Sequence, residues 1–156
     1  LTGAGNEYEC ILPFENRNIR PVNDLQLVKF PDIAINETLI INVDRAENEP
    51  ISKDEKCVIV DLHAHVRGLD SCDYEYSLLL KNGEMTFNVP VIRRIRPDVI
   101  KTFPDEIHVE LSGFVARIPV RFLEAGSYEI YMVAKSIFSR QILLNKASVT
   151  LDLMKE

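Results

Sequence analysis

The sequence predicts an all-β domain, an antiparallel two-sheet sandwich of the immunoglobulin-like kind with about seven or eight strands and Greek-key connections. Three observations carry this. Apolar residues recur at every second position over short runs, the runs are separated by Gly, Pro, Asn and Asp, and Asn82-Gly83 stands between two of them. No stretch shows the 3.6-residue apolar period of a helix of useful length.

In order along the chain, residues 1–36 read as an extended linker or edge segment, and residues 37–156 as the sandwich. Asn16 to Asn23 is polar and holds Pro21, and only Leu25, Leu27 and Phe30 alternate. Leu39, Ile41 and Val43 make an early strand. From Val58 onward, Val58, Val60, Leu62, Ala64 and Val66 face the core, while Asp61, His63, His65 and Arg67 face water. Tyr74, Tyr76, Leu78 and Leu80 run up to Asn82-Gly83, and Met85, Phe87, Val89 and Val91 run away from it. This predicts a hairpin closed by a type I′ turn, whose two central residues need positive φ.

Pro97 to Phe103 fits a single helical turn with Pro near its start. Ser112-Gly113 reads as a turn. Phe114, Ala116, Ile118 and Val120 form the next strand, with Arg117 and Arg121 on its other side, and Pro119 suggests a sheet edge. Leu123-Glu124-Ala125-Gly126-Ser127-Tyr128 resembles a tyrosine corner, in which a Tyr hydroxyl bonds back to the upstream backbone at a Greek-key crossover. Tyr128, Ile130 and Met132, then Ala147, Val149, Leu151 and Leu153, supply the last strands.

Composition bounds the function. A chain of 156 residues, 46% hydrophobic and 27% charged, can bury one core without disulfides or metals. A net charge of -6 argues against a nucleic-acid partner, because a phosphate backbone calls for clustered Lys and Arg, and only Arg93, Arg94 and Arg96 cluster. No apolar run reaches the roughly 20 residues of a membrane-spanning helix. The first residue is Leu, which suggests a piece of a longer protein. Cys10, Cys57 and Cys72 are odd in number and irregularly spaced, which suits reduced thiols and a cytoplasmic location better than a disulfide framework or a zinc knuckle.

The sharpest chemical candidate is Asp61-Leu62-His63-Ala64-His65, because two His at i and i+2 on a strand share a face and can share a metal ion. The stretch Val60 to Val66 resembles the first-strand metal motif of amidohydrolases. Such an enzyme needs a (β/α)₈ barrel of roughly 200 residues or more and further His and Asp ligands, whereas only His108 remains here. Histidines facing solvent on a half-exposed strand are the preferred reading.

No Gly-x-Ser-x-Gly elbow or phosphate-cradling loop occurs, no carboxylate pair stands out, and no cofactor is indicated. Arg93, Arg94 and Arg96 could grip a phosphate or carboxylate, with a solvated turn as the preferred alternative. Among aromatics that could stack on a sugar, alternation sends Tyr74 and Tyr76 to the core and leaves Tyr131 exposed. Asn36-Glu37-Thr38 fits a glycosylation sequon, a triplet common by chance.

Several fragments in order carry a family resemblance: Gly68-Leu69-Asp70-Ser71, Tyr76 with Leu78-Leu79-Leu80-Lys81, Arg96-Pro97-Asp98-Val99, Leu111-Ser112-Gly113-Phe114, and Leu123, Gly126 and Tyr128. Together, from Leu39 to Lys135, they resemble the β-sandwich accessory domain fused to bacterial cell-surface polysaccharide and teichoic-acid-type glycosyltransferases. The resemblance implies a module without an active site of its own, which binds or positions a glycan or polysaccharide intermediate. Its parent protein would work in the cytoplasm or at the inner face of the membrane. Arg96 and Asp98 fall in a recurring pattern of that family and join Tyr131 as candidate ligand-binding residues. The chain departs from the pattern at His63-Ala64-His65, where Gly-Trp-Ala is common, and it contains no Trp, which weakens sugar stacking. A module that holds another domain or subunit is the second expectation, and a metal-dependent hydrolase built on His63 and His65 the third.

Overall fold

A computed structural model describes residues 19–49 and 55–154. Nine strands lie among them: β1 (Gln26–Leu27), β2 (Leu39–Asn48), β3 (Cys57–Val66), β4 (Tyr74–Asn82), β5 (Met85–Val89), β6 (Ile92–Arg94), β7 (Gly113–Pro119), β8 (Gly126–Ser136) and β9 (Ile142–Leu153). One helix, α1 (Pro97–Thr102), starts on a proline, whose missing N–H costs nothing at that position. The strands form two antiparallel sheets with orders β2-β3-β7-β6 and β1-β5-β4-β8-β9. The first order is the A-B-E-D sheet of an immunoglobulin-like sandwich, and β4-β8-β9 is its C-F-G sheet.

Alternation places the core as expected. Val58, Val60, Leu62, Ala64 and Val66 meet Leu78, Leu80, Phe87, Val89, Ile130 and Met132 between the sheets. The tyrosine corner closes as its sequence suggests, with the Tyr128 hydroxyl donating to the Glu124 carbonyl at 2.8 Å. The β4–β5 hairpin also forms, but Asn82 pairs with Met85, so the turn residues are Gly83 and Glu84. Only Gly83 has positive φ, which is the pattern of a type II′ turn rather than type I′.

Other differences have local causes. Pro119 ends β7 opposite Cys57, beyond the reach of β6, so it withholds no ladder bond although β7 lies between β3 and β6. Val120 leaves the strand for a 3₁₀ turn. A bulge between β8 and β9 shifts the register after Glu129, which turns Val149 out to solvent while Ala147, Leu151 and Leu153 stay buried. The segment before β2 lies along the sandwich: the Val22 N–H donates to the Arg117 carbonyl, β1 adds an edge strand to β5, and the Asn36 N–H donates to the Leu144 carbonyl.

The largest departure concerns the outer face of the β2-β3-β7-β6 sheet. All ten residues of β3 are buried, including Asp61, His63 and His65. The polar half of the alternation is therefore not wet. α1 and Phe103 cover one part of that face, and Ile19 covers another by packing on Ile59 and Val115.

Candidate functional site

The site grows from the outer face of β2 and β3. Asn42 lies opposite His63 and Ile40 opposite His65, so these four side chains share one face. A bulge after Val43 places Asp44 beside them. Phe103, just past the end of α1, closes over the two imidazoles edge-on, with ring centroids 4.6 Å from His65 and 5.8 Å from His63. The imidazoles lie nearly parallel to each other, 5.9 Å apart.

Arg96 enters from the far side of the sheet. Its side chain crosses β7 at Gly113, where a Cβ would stand 2.5 Å from the Arg96 Cγ and 2.8 Å from the Arg94 carbonyl oxygen. Gly113 is thus a strand residue that makes room for an arginine rather than turn chemistry. Beyond it, the guanidinium donates to both carboxylate oxygens of Asp98, at 2.9 and 2.7 Å, and to Asp44 at 2.6 Å. Such a bidentate fork is among the stronger polar contacts available to a side chain. The bond from Arg96 holds the Asp98 carboxyl below its ordinary pKa.

These residues line a half-open cavity of about 180 Å³, formed by Ile40, Asn42, Asp44, His63, Arg96, Asp98, Val99, Thr102 and Phe103. His63 is only 5% exposed, and among the described residues neither of its ring nitrogens, nor either of those of His65, has a hydrogen-bond partner. Burial, with Arg96 and His65 close by, pushes the His63 imidazole down to about 4, and burial lowers His65 as well. Both rings are neutral at pH 7. Beside them Arg94 reaches Asp61 at 3.4 Å, each side chain being 2% exposed, and burial lifts the Asp61 carboxyl to about 6 against the pull of Arg94 and Arg96.

The structure therefore gathers Arg96, Asp98 and His63 into one cavity, with His65 and Asp61 beside it, although the sequence offered them as separate possibilities. It also corrects three expectations. Arg94 and Arg96 are buried and committed, neither solvated nor an open anion grip: Arg94 faces Asp61 and Arg96 is taken by Asp44 and Asp98, whereas Arg93 is exposed on β6 and donates to the Leu111 carbonyl while lying over the rings of Tyr76 and Phe114. Tyr131 is buried on the other sheet, under the Phe30 ring at 4.7 Å, so it offers no sugar platform. His63 and His65 are enclosed and not solvent-facing, and among the described residues no third donor joins them within reach of one ion. Phe138 is the only Phe or Tyr among the described residues that is exposed rather than buried or half-buried.

Sequence reasoning did not single out Asn42, Asp44 or Phe103. The first two alternate with Ile41 and Val43, so a polar face on β2 was visible, but nothing local revealed that Phe103 would fold over it. A larger cavity of about 330 Å³ lies between the segment at Arg20 to Asp24 and β6–β7, and the Arg117 guanidinium on its wall is committed to the Ile19 carbonyl and Glu49. Of the cysteines, Cys57 is buried, Cys72 is half-buried and both are unbridged, while Cys10 lies outside the described residues. No helix among the described residues is long and apolar enough to cross a membrane. No family model matches the sequence, and no curated protein or solved structure matches it.

Proposed function

We propose that this chain is a non-catalytic module that holds one hydroxyl-rich unit of a glycan in the cavity beneath α1. The observation that carries the reading is His63, a neutral imidazole buried at the cavity wall with both nitrogens unpartnered. A buried polar group in that state costs about 1–3 kcal/mol, which a ligand that pairs with it returns.

The rest of the lining selects the ligand class. Two carboxylates surround one guanidinium, so the wall repels anions and offers acceptors to hydroxyl groups. Asn42 and His63 each supply a donor and an acceptor. Ile40, Val99 and Phe103 provide apolar wall for the C–H surface of a ring. At about 30 Å³ per water, the cavity matches about six waters, the scale of a single ring and not of an oligosaccharide. The ordered fragments that resemble glycosyltransferase accessory domains support the same class of ligand.

The test is a glycan-array screen of the purified chain, followed by saturation-transfer NMR with the strongest hits, for the native protein and for His63→Phe and Tyr131→Phe. Binding that is lost in His63→Phe and kept in Tyr131→Phe is the expected result. Binding that survives His63→Phe would place the ligand elsewhere. A chain that binds no sugar at all would leave the exposed apolar surface and a protein partner as the better explanation.

A further inference from the structure

At one end of the sandwich two connections meet. The one between β3 and β4 carries Asp70, which caps a short 3₁₀ turn by accepting from the Cys72 N–H at 2.9 Å. The one between β6 and β7 carries His108, the only non-glycine residue with positive φ among those described. The two loops are joined by the Ser71 N–H, which donates to the Ile107 carbonyl at 3.2 Å. Thirty-eight residues apart in sequence, Asp70 Oδ1 and His108 Nδ1 lie 2.7 Å from each other. Cys72 completes a group whose carboxylate, thiol and imidazole donor atoms all fall within 4.8 Å of one another.

We propose that Asp70, Cys72 and His108 bind one divalent transition-metal ion of the zinc class, which ties the β3–β4 connection to the β6–β7 connection. This goes beyond the sugar-holding reading, involves different residues and stands or falls without it.

Donor chemistry sets the class of ion. Thiolate and imidazole are ligands for zinc and its neighbours, whereas calcium and magnesium take oxygen almost exclusively. Metal–donor bonds of roughly 2.0–2.3 Å in a tetrahedron put donor atoms about 3.3–3.8 Å apart. The donor atoms of Asp70 and His108 start 2.7 Å apart and the whole group lies within 4.8 Å, so shifts of about an ångström in the side chains bring all three to that spacing. The Asp70–His108 hydrogen bond brings those two donors together, and binding replaces that contact with two bonds to the ion. Cys72 binds as the thiolate, its proton passing to solvent. The His108 side chain is half exposed, so an ion has a path from solvent.

The group is unlike the His63/His65 pair, which has only two donors and a guanidinium close by. It is also more than a lone cysteine or an acidic cluster, because three chemically different ligands converge from two loops that the fold brings together.

The measurement is a titration of the purified chain with ZnCl₂ by calorimetry and with CoCl₂ by absorption spectroscopy, in a Cys10→Ser background so that a thiolate-to-cobalt band can come only from Cys57 or Cys72. One ion per chain is expected, with a thiolate band that disappears in Cys72→Ser. Affinity should fall by about tenfold or more in His108→Ala. Cys57→Ser and His63→Phe should leave both readouts unchanged. All three loop residues lie at the surface or are half-buried, so their variants keep the core, which far-ultraviolet circular dichroism verifies. Failure to take up a stoichiometric ion would overturn the proposal, as would uptake that persists in both Cys72→Ser and His108→Ala.

Discussion

Replacing His63 by Phe separates a buried neutral imidazole from a solvated one. In the folded protein burial pushes His63 down to about 4, whereas the same side chain in the unfolded chain titrates near 6.5. The unfolded state therefore binds more protons between these values, and stability falls as pH drops through that window. At pH 5, about 1.5 pH units below the unfolded value and at about 1.4 kcal/mol per unit, the loss is about 2 kcal/mol relative to pH 7.5.

Asp61 works in the opposite sense. Its carboxyl is raised to about 6, so the folded state takes up a proton first and gains stability as pH falls. In the native protein the two effects offset each other in part, and a single acid profile would hide both. The difference between native and His63→Phe removes the shared contributions of Asp61 and His65. Urea unfolding followed by circular dichroism, at about pH 7.5 and pH 5, gives this difference from the midpoints. At the higher pH the variant should be at least as stable as the native protein, because it replaces two unpartnered nitrogens with ring carbon and has the cavity to expand into. At the lower pH its advantage should grow by about 2 kcal/mol. Parallel pH profiles would refute the reasoning, since they would mean that His63 titrates as it does in water and is not enclosed under Phe103.

Two further substitutions check the frame that holds the site. Gly113→Ala should cost about 1–3 kcal/mol in urea unfolding and dislodge Arg96, because the new methyl meets the Arg96 Cγ at 2.5 Å and the Arg94 carbonyl at 2.8 Å; an unchanged midpoint would mean that Arg96 takes another path. Tyr128→Phe should cost about 1 kcal/mol, the net worth of the hydroxyl bond to Glu124, with no change in sugar or metal binding, and thermal or urea unfolding reads it directly.

The contrast between legible and hidden features follows the range of the forces involved. The tyrosine corner was readable because Leu123 to Tyr128 is short and its bond closes within four residues. The hairpin was readable in position but not in type. Asn-Gly marks the turn, yet the pairing of Asn82 with Met85 is set by how β4 and β5 align their apolar faces along their whole length. Alternation alone leaves Tyr131 exposed, because its own strand turns it away from the core. It is buried because Phe30, 101 residues earlier in the sequence, packs over it.

By itself the sequence determined the sandwich. A period of two with turn residues between the runs is a local code, and burying one face of each strand leaves little choice but two sheets packed face to face. What only the tertiary structure decided is the fate of the other face. Asp61, His63 and His65 carry the polarity of solvent-facing residues, and their burial depends on α1, Phe103 and Arg96 arriving from more than thirty residues away in sequence. Alternation records which side chains point together. It holds no information about which distant segment will cover them, because that contact is settled by packing and charge pairing once the whole chain has folded.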